Sequence, residues 1–519
     1  MIKKFAKDLK TEFKGYSAKA FSNDLMAGLT VAAVALPLAL AFGVSSGATA
    51  ASGLMTAIIA GCIIAAFGGA FYQISGPTGA MAAILISVVA QYGMQGVLVA
   101  TALAGVLLIL AGIFRLGRLT SYIPMSVITG FTSGIAVIIA FGQIDNFFGV
   151  TSQGTSLVEK IISYGQLGFS PDWLTLAIGV AVILLMIVYP KKWNSVIPSS
   201  LVGIILATAA CMIFKLDVAS VGEIPKSLLL EERLRFSGID FATISGLISP
   251  AISIAALGMV ESLLCGASAE RMTRVRLDSD RELIAQGLGN LIVPFFGGIP
   301  ATAAIARTSV AIKSGARTRL TGIIHAIVLL ISMLALGPVM SRIPLSALAG
   351  VLIVTAWRMN EWETIRYIFK KKFKSAMFKF LVTMIATILL DLTVAILIGV
   401  VCALIFLVAR MAKLGVTYTS SNDEEIEVCV TGSIIFANTR SVEAIFEKAS
   451  QYKKVTFVLN AVPNIDISGV QALTELIDHI KEGGTQVYMC GLTESAMTML
   501  KRSGLCDNLG EGAFLTSAN

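Results

Sequence analysis

Ile74-Ser75-Gly76-Pro77-Thr78-Gly79-Ala80-Met81 and Gly297-Gly298-Ile299-Pro300-Ala301-Thr302-Ala303-Ala304 each interrupt a stretch apolar enough for a membrane, and each opens a short apolar half-helix. Arg307 follows the second break by one to two turns. Unwound backbone at membrane depth is tolerated only where protein or a cavity satisfies it. The free N–H groups of a helix start carry a partial positive charge, so two such starts facing each other make an anion site. The paired breaks therefore point to a carrier for anions.

Composition sets the class. The chain has 519 residues, of which 56% are hydrophobic and 14% charged, with a mean hydropathy of +0.83. A soluble domain of average usage carries roughly 25% charged residues, so most of this chain belongs in lipid. Residues 416–519 hold 7 Lys/Arg and 13 Asp/Glu, whereas the first 415 hold 33 and 19. A basic membrane domain is thus followed by a small acidic soluble one, with boundaries expected at 1–23 for an N-terminal segment, 24–413 for the transport domain and 416–519 for the last domain. The seven cysteines (Cys62, Cys211, Cys265, Cys402, Cys429, Cys490 and Cys506) show no disulfide or metal spacing and read as small apolar residues in a reducing setting. The polar, Lys-rich start up to Lys19 has no signal-peptide core. Two histidines are too few for a metal cluster. No phosphate loop, nucleophile triad or nucleic-acid motif is present, so no enzyme activity, cofactor, metal or nucleic-acid partner is expected.

Apolar segments lie at about 24–44, 51–70, 94–114, 122–143, 173–190, 197–215, 243–265, 283–296, 320–340, 344–357, 377–391 and 392–409. Half-helices at about 77–91 and 300–312 bring the expected total to fourteen spans. Asp391, between the last two spans, is expected to cap the final one. With the N-terminus inside, alternation places 26 Lys/Arg in inner segments and 6 in outer ones, as the positive-inside tendency requires. Both termini are then cytoplasmic, in the cell's inner (plasma) membrane. Breaks at ordinals three and ten suggest two halves of seven, and an odd number of spans per half forces an inverted repeat. The expected architecture is an all-α polytopic membrane domain followed by a small α/β domain. In that last domain Glu425–Val430 alternates like a strand and Val455–Leu459 reads as a buried one. Helices are expected near 440–451, 468–482 and 494–503.

The ordered segments Gly28-Leu29-Thr30-Val31, Leu36-Pro37, Ile74–Thr78, Glu261-Ser262-Leu263-Leu264, Glu282-Leu283, Gln286-Gly287, Asn290, Gly297–Pro300 and Ala306-Arg307-Thr308-Ser309 resemble the SulP family of sulfate-permease-like anion transporters. Asp466-Ile467-Ser468-Gly469 resembles the signature of that family's C-terminal STAS domain. The resemblance covers nearly the whole chain. It implies a seven-plus-seven inverted repeat with a moving core, a static gate and a homodimer. It also implies an aromatic pocket wall at Phe42. Two departures stand out. Ile467 occupies the position of the phosphorylated serine of STAS antagonists, leaving Ser468, which reads as a helix cap. Leu38 and Ala306 stand where animal members have Gln and Ser, so backbone N–H groups must carry more of the anion binding.

The candidate substrate-binding residues are Phe42, Thr78, Gly79, Ala80, Ala301, Thr302, Ala303 and Arg307. The amides of the two breaks form the cradle and the guanidinium supplies a permanent cation. Phe42 reads nearly as well as a packing residue, and Arg307 as a snorkelling one. Glu261, inside an apolar run, is the candidate coupling-ion residue, because a mid-membrane carboxyl costs on the order of 3 kcal/mol and needs a proton, a partner or a cavity. A sodium-using bicarbonate carrier of the family has Asp and Thr at the Glu261 and Cys265 positions, and the missing hydroxyl favours a proton here. His325 reads as a satisfied core histidine, and Lys370-Lys371-Lys372 as an anchor that touches anionic lipid. Secondary active transport of a small anion such as sulfate, bicarbonate or a dicarboxylate, coupled to protons, is the leading expectation. A sodium-coupled bicarbonate transporter, an uncoupled exchanger or channel, a neutral-solute carrier and a STAS-centred signalling module remain as alternatives.

Overall fold

A computed structural model of the chain describes residues 2–118, 124–154, 157–194, 197–235, 241–390, 392–420 and 423–515. It divides into two compact units, Met1–Val400 and Val401–Asn519. The first unit opens with α1 (Ile2–Glu12), α2 (Ala18–Ser45) and α3 (Ala50–Phe67), followed by the two-residue strand β1 (Ser75–Gly76). Then come α4 (Gly79–Ile113), α5 (Met125–Gly142), α6 (Ile144–Phe148), α7 (Leu157–Leu167), α8 (Trp173–Val188), α9 (Lys191–Asn194) and α10 (Ser199–Phe214). The second half runs α11 (Phe241–Thr273), α12 (Ser279–Ile292), β2 (Thr302–Ala303), α13 (Ile305–Lys313), α14 (Leu320–Met340) and α15 (Leu345–Met359). It closes with α16 (Trp362–Lys370), α17 (Lys374–Leu389) and α18 (Leu392–Met411).

Six helices are long and apolar enough to cross a membrane, those of α2, α3, α4, α5 with α6, α11 and α14; α8, α10, α15 and Leu397–Met411 are apolar but shorter. One helix, α4, accounts for both the first half-helix and the span after it, because it bends at Gly93, where φ is +65°. The second half-helix starts later than the Gly-Pro step suggests: residues 300–304 stay outside the helix and only Ile305 begins α13. Asp391, the expected cap of the last span, lies outside the described residues. The unit boundary falls inside α18, a continuous helix, ahead of the composition change after Lys413.

The membrane unit is built in two layers. Helices α2, α3, α4, α11, α12, α13 and α14 pack on one another as a core, and α5, α8, α10, α15 and α17 form a second body. The core interlocks reciprocally: α4 of the first half lies on α11 and α12, while α14 of the second lies on α2 and α3. Close approach depends on glycine. A Cβ at Gly287 would sit 2.6 Å from the Gly105 carbonyl oxygen, and one at Gly105 would sit 2.5 Å from the Leu291 amide nitrogen. In lipid, where apolar burial gives helices no reason to associate, such backbone contact supplies the packing.

The N-terminal segment is not a loose tail. Asp8 of α1 pairs with Arg281 at 2.6 Å, and Glu12 pairs with Arg319 at 2.9 Å in a nearly solvent-free setting. Both guanidinium groups also lie over the Phe5 ring. Buried Asp24 accepts from the Tyr16 hydroxyl, the Arg317 and Thr318 amides and the Thr318 and Thr321 hydroxyls. Burial, with Asp24 as acceptor, pushes the Tyr16 phenol up to about 12, so that bond persists across physiological pH.

The second unit carries a five-stranded sheet in the order β3 (Gly415–Ser420), β4 (Glu425–Thr431), β5 (Lys454–Ala461), β6 (Gln486–Cys490) and β7 (Phe514–Leu515). Only β3–β4 is antiparallel. The helices are α19 (Thr439–Glu443), α20 (Phe446–Ala449), α21 (Ile467–Glu482), α22 (Glu494–Arg502) and α23 (Leu505–Leu509). The single helix expected over 440–451 is therefore two short ones. Ser468 is not the cap of α21. Asp466 is, with its Oδ1 accepting from Gly469 N–H at 2.7 Å and its Oδ2 from Phe436 N–H at 2.9 Å. Ile467 is 70% exposed.

Replacing Gly287 by Leu should cost the core on the order of 1–3 kcal/mol or more, because the added carbon meets backbone rather than a movable side chain. Thermal unfolding of the detergent-solubilised protein reads this as a lowered midpoint, and an unchanged midpoint would show that the α4–α12 crossing can relax.

Candidate anion site between two helix breaks

The two breaks meet. β1 and β2 pair antiparallel, Ser75 opposite Ala303 and Gly76 opposite Thr302, and Ala304 N–H extends the pairing to the Ile74 carbonyl at 3.1 Å. Antiparallel pairing puts the two half-helices at opposite ends of one short ladder, each with its N-terminus toward it. Thr78 caps α4 by accepting from Met81 N–H, whereas Ala304, which precedes α13, has no side chain able to cap.

Extended backbone at this depth needs partners, and α11 and α12 provide them. Asn290 acts as a surrogate peptide for Ala301, accepting from its N–H at 2.8 Å and donating to its carbonyl at 2.9 Å. Gln286, one turn earlier, donates to Ser75 Oγ at 3.0 Å and to Glu282 Oε1 at 2.9 Å. Glu282 accepts in turn from the Gly69 and Ala70 amides. Ser262 Oγ accepts from Ala303 N–H at 3.3 Å and shares a bond with Thr302 Oγ1 at 2.9 Å. Thr308 Oγ1 accepts from Ile74 N–H at 3.0 Å and from the Cys265 thiol at 3.2 Å.

This network moves the free amides of the second break. The Ala301 and Ala303 N–H groups, assigned to the cradle from sequence, are taken by Asn290 and Ser262, and Thr302 lies in the ladder register. The amides without an intrahelical partner are those of the first turn of α13, Ile305 to Arg307. Residues 301–303 are instead buried in the bonded backbone ahead of that turn. On the other side Thr78, Gly79 and Ala80 are all buried at the start of α4.

Arg307 joins the two starts. It is 1% exposed, its Nη2 donates to the Pro77 carbonyl at 3.1 Å, and its Nη1 has no hydrogen-bond partner among the described residues. Gly76 is required beside it, since a Cβ there would come within 2.8 Å of Nη1. Glu261 is partly buried and accepts from Thr78 Oγ1 at 3.0 Å. Arg307 and Glu261 therefore address adjacent residues, Pro77 and Thr78.

Phe42 packs at Gly79: a Cβ on that glycine would meet the Phe42 ring at 3.0 Å and Ile139 of α5 at 2.2 Å. His325 is buried, but its Nε2 has no hydrogen-bond partner among the described residues; Thr321, one turn before it, is bonded to Asp24. Gln286 and Asn290 carry roles that the sequence reading left unassigned. Their signal was there, as Glu282, Gln286 and Asn290 repeat at four residues and place three polar groups on one face of α12.

Sulfate permease family matches residues 21–386, and STAS domain matches residues 419–518. The chain is 34% identical over 529 residues to "Putative sulfate transporter YvdB" of Bacillus subtilis (strain 168), covering 97% of each. It is 32% identical over 516 residues to "Bicarbonate transporter BicA" of Picosynechococcus sp. (strain ATCC 27264 / PCC 7002 / PR-6), covering 92% of this chain and 90% of that protein. In fold it is similar to the murine Solute Carrier 26 family member A9 anion transporter solved in the inward-facing state, with a TM-score of 0.83 at 18% identity over 96% of this chain and 90% of that one. The chain belongs to the sulfate permease family, as a multi-pass membrane anion transporter with a STAS domain rather than an enzyme.

Proposed function

We propose that the protein is a secondary active transporter that moves a small oxyanion, sulfate or bicarbonate, across the inner membrane by alternating access, coupled to protons through Glu261. It works as a homodimer with both termini in the cytoplasm. The observation that carries the reading is Arg307: a fully buried guanidinium that ties one half-helix start to the other and keeps one N–H edge unbonded beside the free first-turn amides of α13. A bound anion completes that edge and draws on both helix starts. The relatives named for sulfate and for bicarbonate stand at nearly equal identity, which supports the oxyanion class without choosing within it.

Alternating access is supported by an asymmetry between the two layers. A cavity of about 450 Å³ opens between core helices α2 and α13 and second-body helices α8, α10 and α15. At the other seam, where Gly79 meets Ile139, a cavity holds about 10 Å³. Leu38 and Ala306 line the large cavity, so it approaches the start of α13 from the Lys/Arg-rich side. Proton rather than sodium coupling is supported by Cys265, whose thiol donates to Thr308 Oγ1 and brings sulfur, not a hard oxygen ligand, one turn from Glu261.

Arg307→Gln should lower uptake of labelled sulfate or bicarbonate into liposomes by about tenfold or more, while Arg307→Lys, which keeps the charge but not the fork, falls between. Full uptake by the Gln variant would sink the site. Glu261→Gln should keep the fold and the Thr78 contact yet abolish accumulation driven by an inward proton gradient. Unaltered pH-driven uptake would reduce Glu261 to packing, and uptake following a sodium gradient instead would replace the coupling ion.

A further inference from the structure

The large cavity is electrostatically one-sided over its whole length. Its lining contains Lys313 and Arg358 and not one acidic side chain. Among the described residues neither cation is in an ion pair. Arg358 does not wave freely in the opening: its Nη2 donates to the Met186 carbonyl at 3.1 Å, which fixes the guanidinium on the cavity wall. Ser199 and Ser200, the first residues of α10, line the same space, and Pro198 before them offers no side-chain cap. The first-turn amides of α10 therefore add partial positive charge to the two full charges. Lys313 sits in the last turn of α13, seven residues after Ala306, so one face of that helix runs about 10 Å from the proposed anion site to the cation.

We propose that the mouth of this cavity is a second anion station, where Lys313 of the core and Arg358 of the second body hold a small free oxyanion before it moves along α13 to the half-helix starts. The ligand class follows from the donors: a fork and an ammonium with hydroxyls nearby suit a compact, oxygen-bearing anion. The two cations belong to bodies that move past each other on the reading proposed above, on which this inference rests. The station is therefore assembled only when the cleft is open on this side, and it acts on anions arriving from this side alone.

The test does not depend on transport. Ser314, on the cavity wall beside Lys313, is replaced by Cys in full-length protein in phosphatidylcholine liposomes, which exclude anionic lipid as the occupant. Modification at that position by an anionic and by a cationic methanethiosulfonate reagent of similar size is followed by peptide mass spectrometry, so the native cysteines do not interfere. The anionic reagent should react about tenfold faster, the ratio should fall toward one when Lys313→Gln and Arg358→Gln are combined, and Lys313→Arg should restore most of it. Millimolar sulfate should protect Cys at 314 in the parent and not in the double variant. A ratio near one in the parent, a ratio indifferent to both cations, or no protection by sulfate would overturn the station. Uptake measured from each side separates the two proposals. The double variant should raise the half-saturating anion concentration about fivefold or more on the cleft side and less than twofold on the other, and an equal rise on both sides would also overturn it. Normal labelling ratios and sulfate protection with no anion uptake by the parent would leave the station standing and remove the transport reading.

Discussion

Everything in the membrane unit answers to one constraint: eight or so residues of peptide backbone are left unwound where water cannot satisfy them. β1 and β2 satisfy one another along one edge. The other edges are met by side chains that imitate backbone, above all Asn290, whose amide makes both bonds a neighbouring strand would make to Ala301. An unpaired buried peptide group costs about 1–3 kcal/mol, so without α11 and α12 the breaks would rewind into helix. The breaks survive because a helix from the second half holds both of them, Gln286 reaching the first and Asn290 the second.

That arrangement also explains why the core behaves as one body. α12 must lie close enough to the breaks for short amide side chains to reach them, and the mutual contact of Gly105 and Gly287 seats it against α4. The lower end is tied by charge rather than by packing, with α1 bonded to Arg281 and Arg319 and Asp24 bonded to the turn before α14. Along the large cavity the seam between core and second body shows neither device among the described residues, and neither Lys313 nor Arg358 is in an ion pair there. The layers are thus tight within and loose between, the mechanical condition for one to slide on the other.

The breaks were legible because Gly-Pro inside an apolar run has few other meanings, and the helical segments because their hydropathy is continuous. Four features were not. The start of α13 was misplaced because Pro300 looks like a first helical residue, while the partners that keep 300–304 extended lie about forty residues upstream, at Ser262, and on the helix before the break, at Asn290. The docking of α1 could not be read because a Lys-rich amphipathic segment looks the same free or bound; its acidic residues Asp8 and Glu12 acquire meaning only from Arg281 and Arg319, more than 270 positions later. In the STAS domain β3 and β6 were missed because β3 is a largely exposed edge strand whose alternation rests on Val416 and Tyr418 alone and β6 is only five residues long. Ser468 was read as the cap because serine suits that role and Gly469 follows it, whereas the bonds from Gly469 and Phe436 N–H show that Asp466 serves two backbone donors at once.

The placement of the two charged groups gives the proposed coupling an electrostatic basis that needs no moving part. Arg307 is a permanent cation bonded to the carbonyl of Pro77, and Glu261 is a titratable carboxyl bonded to the hydroxyl of Thr78, the next residue along. In a water-poor site two opposite charges this close neutralise one another, and an arriving anion would make the pocket net negative at a large cost. A proton on Glu261 removes that cost, because the carboxyl then offers neutral oxygen and an O–H while the guanidinium is left for the anion. On the proposed reading, binding of proton and anion is therefore mutually favourable, and linkage makes the favour reciprocal. The chain of contacts Glu261–Thr78–Pro77–Arg307 is short and runs from the second half of the membrane unit to the first and back, so on the proposed reading either ligand is felt at both helix starts.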